Sequence, residues 1–119
     1  MKPNLKCLLD TNILIQLEEP DADGSFKEGF SELARLCHKF GVALFYHPLS
    51  EQDLRNDPND DRRRKSLEWL KKYAVLEGVP IAERTDLESK FLAIKSGNDF
   101  IDCQLLHALS LNCVDYLIS

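Results

Sequence analysis

The amino-acid sequence predicts an α/β fold in which helices cover a mostly parallel central sheet of about four to five strands. Short apolar runs of strand length alternate with longer segments whose apolar residues recur at helical spacing. The length of 119 residues is that of one domain with one core. Because the alternation covers the sequence without a repeat or a linker, we predict a single domain over residues 1–119.

Apolar runs predict three strands, at residues 5–9, 42–46 and 114–118, and residues 75–79 form either a fourth short strand or a loop. Helical spacing predicts helices at residues 11–18, 25–40, 48–55, 61–73, 86–94 and 99–109. Ser25 and Asp86 are predicted to cap two of these helices, and Pro48 begins another, since proline is favourable in a first turn. Gly41 ends the second helix, and residues 97–98 end the fifth.

Composition restricts the class of protein. A net charge of −5 and a hydrophobic content of 44% are ordinary for a globular protein, and no apolar run approaches the ~20 residues of a membrane span. The four cysteines lack CxxC spacing and do not cluster with histidines, which argues against a zinc site. Because these cysteines have apolar neighbours, we predict buried free thiols in a reducing, cytoplasmic compartment.

The first strand ends on Asp10, and a helix begins immediately after it. The carboxyl ends of parallel strands line the crevice where open α/β folds bind ligands, so Asp10 is a candidate metal ligand. An aspartate before a helix also caps exposed backbone N–H groups, and this explanation stands on equal terms. Thr11 and Asn12, which follow, are candidates to hydrogen-bond a ligating carboxylate.

Two further acidic stretches lie at similar boundaries. Glu51 and Asp53 lie on the third helix, where residues two apart do not share a face, and Asp53 is preferred because it adjoins the apolar Leu54. Asp99 and Asp102 share one face at the start of the last helix. A solvent-exposed helix surface or a favourable interaction with the helix dipole would also account for each acid taken alone.

A basic run contains Arg62, Arg63, Arg64 and Lys65. It is either a solvent-exposed helix surface, partly neutralised by nearby aspartates, or a contact for the phosphates of a single-stranded substrate. Trp69 is assigned to the core or to an interface in preference to base stacking. Of the three histidines, His47, at a strand-to-helix turn, is the one considered for a role beyond structure.

These motifs resemble the PIN-domain family. Residues 8–15, Leu-Leu-Asp-Thr-Asn-Ile-Leu-Ile, are similar to the opening of that family, and residues 102–109 followed by residues 114–119 resemble its closing acid, helix and strand. Residues 49–54 resemble the helix that carries the family's second acid, usually a glutamate, whose place Asp53 takes. The similarity covers nearly the whole chain.

The resemblance implies a three-layer α/β/α fold and a ribonuclease that depends on Mg²⁺ or Mn²⁺. It implies Asp10, Asp53 and Asp102 as catalytic, metal-binding acids, with Asp99 and Glu51 as additional candidates. In the family, the last strand runs into a Thr/Ser-x-Asp turn that adds a fourth acid. This sequence reaches Ser119, where that turn would begin, so we expect Ser119 beside the site and either a domain truncated after its last parallel strand or a natural domain that lacks the fourth acid.

Many PIN domains are toxins of toxin–antitoxin pairs, so the expected partners are RNA, an antitoxin or another protein, and a second copy of the chain. The predicted function is hydrolysis of RNA phosphodiester bonds by a water that a divalent cation makes more acidic. The alternative is a PIN-like module with incomplete chemistry that binds RNA or a partner protein. Phosphotransfer through Asp10 ranks below both, because the sequence lacks the Asp-x-Asp opening of phosphoaspartyl hydrolases.

Overall fold

The computed structural model describes residues 5–20, 28–91 and 93–119. Within these residues the strands are β1 (Lys6–Leu9), β2 (Ala43–Tyr46), β3 (Ala74–Val75) and β4 (Tyr116–Ile118). The helices are α1 (Thr11–Glu18), α2 (Glu28–Lys39), α3 (Pro48–Arg55), α4 (Asp60–Leu70), α5 (Arg84–Lys90) and α6 (Gly97–Ser110). Each strand is therefore separated from the next by at least two helices, a length of chain that parallel neighbours require.

All four strands run parallel in one sheet with the order β3-β2-β1-β4. Strand β1 is central, and its Leu9 is the register partner of Tyr46 in β2 and of Ile118 in β4. Both Leu8 and Leu9 are fully buried, as expected for a strand with neighbours on both sides and helices on both faces. The predicted α/β class with a mostly parallel sheet is confirmed, and the arrangement is compatible with a three-layer α/β/α fold.

Two apolar cores lie on the two faces of the sheet, because successive residues of a strand point to opposite faces. Leu9 packs with Leu14 of α1 and Leu54 of α3. Leu8 packs with Leu105 of α6. Helices α1 and α3 therefore cover one face and α6 covers the other.

Two helix ends lie where the sequence predicts them. Pro48 is the first residue of α3. Gly41 follows α2 with a φ of +68°, the left-handed conformation that commonly ends a helix and that glycine adopts without strain. The predicted cap Ser25 lies outside the described residues.

The prediction was wrong about the ends of β3 and α4. Strand β3 spans Ala74–Val75, so of residues 75–79, expected to form either a short strand or a loop, only Val75 belongs to a strand, and α4 ends at Leu70 before the expected residue 73. The pattern of apolar residues continues through this segment, because Leu76 and Val79 pack against the Leu8 core although they belong to no strand. Burial alone therefore does not mark where strand pairing stops.

The expected caps of the last two helices were also wrong. Helix α5 begins after Glu83, so Asp86 lies inside its first turn, where its charge favours the helix dipole without capping. Helix α6 begins at Gly97, which was expected to end a helix. The reason is Ser96, whose Oγ accepts a hydrogen bond from the Asp99 backbone N–H at 3.1 Å and caps α6 two residues earlier than predicted.

All four cysteines are free thiols, as predicted. Cys7, Cys37 and Cys103 are buried, whereas Cys113 is only half-buried. Burial raises the pKa of Cys7 and of Cys37, which keeps these thiols protonated and unreactive. No helix in the described part of the chain is long and apolar enough to cross a bilayer.

Candidate functional site

Asp10 lies at the carboxyl end of β1, in the middle of the sheet edge. Its backbone N–H donates to the Ile118 carbonyl at 3.0 Å, which places the end of β4 beside it. Its Oδ1 accepts a hydrogen bond from the Asn12 backbone N–H at 3.3 Å and so caps α1. Because that bond uses one carboxylate oxygen, capping and ligand binding are compatible roles for Asp10.

Three of the predicted acids line one pocket. Asp10 comes from the end of β1, Asp53 from α3 and Asp102 from α6, and together they border a cavity of about 310 Å³. Helix α3 follows β2, and α6 precedes β4, so the two strands beside β1 bring their helices to the same edge of the sheet. Asp53 and Asp102, which follow Asp10 by 43 and 92 positions in the sequence, are thereby brought close to it.

The electrostatics of Asp102 reflect this crowding. Although its side chain still reaches solvent, partial burial raises the pKa of Asp102 above its ordinary value, and the nearby carboxylates of Asp10 and Asp99 raise it further. The negative charges of Asp10 and Asp99 therefore make ionisation of Asp102 less favourable. A bound cation would relieve this repulsion, which makes the pocket suitable for positive charge.

Thr11 and Asn12 line the same pocket as Asp10, at the start of α1. Ser119 follows β4 and is exposed next to the sheet edge where Asp10 lies. All three lie in the neighbourhood of Asp10 that the sequence predicted for them. Their hydroxyl and amide groups are of the kinds that orient ligating carboxylates in metal sites.

Asp99 and Glu51 lie outside this pocket. Asp99 lines an adjoining, more apolar cavity of about 600 Å³ that shares Asp102 with the acidic pocket, and its Oδ2 accepts from the Lys95 backbone N–H at 3.0 Å. Glu51 lines a different cavity and lies 3.7 Å from the Arg55 guanidinium and 3.5 Å from the Tyr46 hydroxyl. Helix α3 thus directs Asp53, and not Glu51, towards Asp10.

The donor chemistry of the pocket suits a hard cation. Asp10, Asp53 and Asp102 offer carboxylate oxygens, the ligands that Mg²⁺ and Mn²⁺ prefer. Among the described residues, no three His, Cys, Asp or Glu side chains are close enough together to hold a metal ion directly. Mg²⁺ commonly keeps several waters and is held through one or two carboxylates, so the residue types fit an ion of that kind.

The basic run divides between two surfaces of α4. Arg62 and Lys65 line a cavity of about 270 Å³, whereas Arg63 and Arg64 line the separate cavity that contains Glu51. Arg62 and Lys65 share a face because they are three residues apart, whereas Arg63 and Arg64, although successive, both border the wider cavity between α3 and α4. The run is therefore two pairs of cations facing different ways.

The arginines of the run are ion-paired with the aspartates that precede them. Arg62 bonds Asp57 at 2.5 Å, Arg63 lies 2.5 Å from Asp60, and Arg64 bonds Asp61. The hydrogen bond from Arg62, together with one from the Asn59 backbone, lowers the pKa of Asp57 to about 2. The neutralisation predicted for a solvent-exposed surface is thus present, and it stands beside the RNA-binding interpretation without excluding it.

Sequence reasoning assigned no functional pocket to Trp69, yet this half-buried side chain lines the same cavity as Arg62 and Lys65. The positions 62, 65 and 69 are spaced by three and four, so the sequence did carry the signal that they share a face. His47 has a structural role: it is fully buried, and its Nδ1 accepts from the Leu49 backbone N–H at 3.0 Å to cap α3.

No family model, curated protein or solved structure is significantly similar to this chain. The resemblance to PIN domains therefore stays a prediction from the motifs at Asp10, Asp53 and Asp102.

Proposed function

We propose that this chain is a metal-dependent ribonuclease whose acidic pocket binds Mg²⁺ or Mn²⁺. One observation carries the proposal: three carboxylates from distant parts of the chain line a single cavity at the carboxyl edge of a parallel sheet. Acids serving only as helix caps have no reason to converge. Only Asp10 caps a helix among the three, because α3 is capped by His47 and α6 by Ser96.

The side chains have distinct tasks in this proposal. Asp10, at the centre of the edge, and Asp102 and Asp53, on either side of it, hold the cation partly through its bound waters, since the three carboxylates are too far apart to ligate it together. When bound, the cation supplies a more acidic water and offsets negative charge on the leaving oxygen. Thr11 and Asn12 orient the carboxylates. The three acids also repel a bare phosphate, so a phosphodiester of the RNA occupies the acidic pocket only when their charge is compensated, whereas the rest of the strand can bind outside that pocket without a cation.

The proposal is tested by Asp10→Asn. Asparagine caps helices as well as aspartate does, so the variant keeps α1 while losing one negative charge and much of its affinity for a cation. We expect cleavage of labelled single-stranded RNA in Mg²⁺ or Mn²⁺ to fall by at least about 100-fold. Asp86→Asn, at an exposed first-turn position of α5, is the matched control and should cleave like the wild type. Undiminished cleavage by Asp10→Asn refutes the proposal.

A second pair of variants tests which acid of α3 belongs to the site. Asp53 lines the acidic pocket and Glu51 does not, so Asp53→Asn should lose far more cleavage than Glu51→Gln. The opposite order would show that α3 presents its other face to the substrate. Circular dichroism of both variants reveals any loss of helix that would complicate the comparison.

The alternative function, an RNA-binding module without hydrolysis, is favoured by a specific feature. Arg62, Lys65 and Trp69 lie in a cavity separate from the three acids, so this surface does not need a metal to hold RNA. Calorimetric titration with Mn²⁺ separates the two functions. Mn²⁺ binding that Asp10→Asn removes supports the hydrolase, whereas RNA retention without Mn²⁺ binding or cleavage supports the module.

A further inference from the structure

Trp69 lies in a cavity built by α1 and α4. The cavity of about 270 Å³ is bordered by Ile15 of α1 and by Arg62, Lys65 and Trp69 of α4. Trp69 is half-buried and packs against the core that contains Leu9, so part of the indole is fixed by the fold while the rest borders the cavity. An aromatic ring held in this way binds a ligand without first losing rotational freedom.

The cavity adjoins the acidic pocket. Ile15 lines both cavities, so a single side chain forms their shared wall. An extended ligand that crosses Ile15 would therefore contact Trp69 on one side and Asp10 and Asp53 on the other. The two cavities are therefore placed to take neighbouring parts of one extended ligand.

We propose that the cavity at Trp69 binds one unpaired base of the RNA, stacked on the indole, while Arg62 and Lys65 contact the flanking phosphates. The inference rests on the proposed function, in that the acidic pocket receives the adjoining phosphodiester. Stacking of bases on aromatic side chains, combined with lysine and arginine contacts to the backbone, is the general chemistry of single-strand binding. It accepts any base, because every base has a flat face.

The charges around the cavity favour a nucleotide over a simple anion. Arg62 is held by two hydrogen bonds to Asp57, at 2.5 and 2.7 Å, which fix its guanidinium and leave other N–H groups for a phosphate. Lys65 is exposed on the same helical face. The carboxylates of Glu19 and Asp61 also border the cavity, so its cations are balanced and an isolated phosphate gains little. The indole supplies the additional attraction that only a base can use.

The test uses intrinsic fluorescence, because Trp69 is the only tryptophan in the chain. The wild-type protein is titrated with short single-stranded RNA in EDTA, so that no cleavage occurs. We expect saturable quenching of the indole by single strands and much weaker quenching by a duplex of the same sequence, whose bases are already stacked. RNA that binds by fluorescence anisotropy of a labelled strand without changing Trp69 emission contradicts the proposal, and so does the absence of binding.

Variants separate stacking from charge. In anisotropy titrations, Trp69→Leu should weaken binding by about tenfold or more, and Trp69→Phe, which keeps a ring, should retain most of the affinity. Lys65→Gln should weaken binding uniformly across sequences and reduce the salt slope by about one. Lys71→Gln is the matched control. Lys71 follows the last residue of α4 and lines the other cavity, the one that contains Glu51, so this variant should bind like the wild type.

The outcomes distinguish this inference from the proposed function. If Trp69→Leu and Trp69→Phe both bind like the wild type while Asp10→Asn abolishes cleavage, the stacking site is refuted and the hydrolase stands. If Trp69 is quenched and Lys65→Gln weakens binding but the wild type never cleaves RNA, the stacking site stands and the hydrolase fails. Should Trp69→Leu prove unfolded, the wild-type quenching and the Lys65→Gln and Trp69→Phe titrations still decide the question.

Discussion

Protonation of His47 should destabilise the protein in mildly acidic solution. The imidazole is completely buried at the start of α3, and its Nδ1 accepts the hydrogen bond that caps the helix. A nitrogen that accepts a hydrogen bond carries no proton, so the ring is neutral with its proton on Nε2. Burial lowers the pKa of His47 from 6.5 to about 4. Protonation would both place a charge in the core and remove the cap.

The sign and size of the effect follow from this shift. The unfolded chain takes up a proton near pH 6.5, whereas the folded chain resists it until about pH 4, so the unfolded state binds more protons between these values. Stability is therefore complete above pH 6.5 and is lost as the pH falls towards 4. The free energy of unfolding declines by about 1.4 kcal/mol per pH unit inside this window, which amounts to about 2 kcal/mol by pH 5.

The assay is urea unfolding at pH 7, 6 and 5, comparing the wild type with His47→Asn. Asparagine can still cap α3 but does not titrate, so the variant should lose stability at pH 7 by a constant amount and show a smaller decline towards pH 5. His38→Asn, at an exposed position of α2, is the control and should follow the wild-type decline. Equal declines for His47→Asn and the wild type would show that burial does not hold the folded imidazole neutral.

Two further predictions concern the part of the fold around α5 and α6, and both are measured as free energies of unfolding in urea. Gln104→Leu should lower the free energy of unfolding by about 2 kcal/mol, because the buried amide donates to the Ala82 carbonyl at 2.6 Å and accepts from the Ala82 N–H at 3.1 Å. A cost near zero would mean that water replaces both bonds. Leu87→Ala should cost about 2 to 5 kcal/mol, since Leu87 is fully buried beside Ile94 and Cys103, whereas the same change at the exposed Leu111 should cost well under 1 kcal/mol. Equal costs at the two leucines would contradict the packing described for α5.

The predicted fold succeeded where the signals were local. Residues 5–9 are apolar except for Lys6 and are followed at once by a carboxylate, and β1 and α1 meet at Asp10 as predicted. The prediction failed where two residues offered the same local signal. Ser96 and Asp99 are both of residue types that cap helices, and in the folded chain the side chain of Ser96 accepts the capping hydrogen bond. The length of β3 depended on its partner β2, which the residues of β3 do not encode.

The candidate site likewise contains residues that local sequence signals identified and residues that they did not. Asp10 could be singled out from the sequence, because the end of a strand lies at a predictable edge of the sheet. The choice of Asp53 over Glu51 rested on its neighbour Leu54 and on the register of the family resemblance, and in the structure Asp53 lines the cavity that Asp10 also lines. The sequence assigned Trp69 to the core or to an interface ahead of base stacking, because an apolar face at helical spacing describes a core residue and the wall of a cavity equally well.

The sequence by itself determined a parallel α/β domain with an acid at its central strand end, because hydrophobic runs and the residues that follow them are properties of neighbouring positions. Only the tertiary structure decided which acids share a pocket and that the face of α4 with Arg62, Lys65 and Trp69 borders a cavity beside α1. Those outcomes depend on how each helix is rotated about its own axis. That rotation is fixed by contacts such as those of Leu54 and Leu70 with the Leu9 core, between residues far apart in the chain.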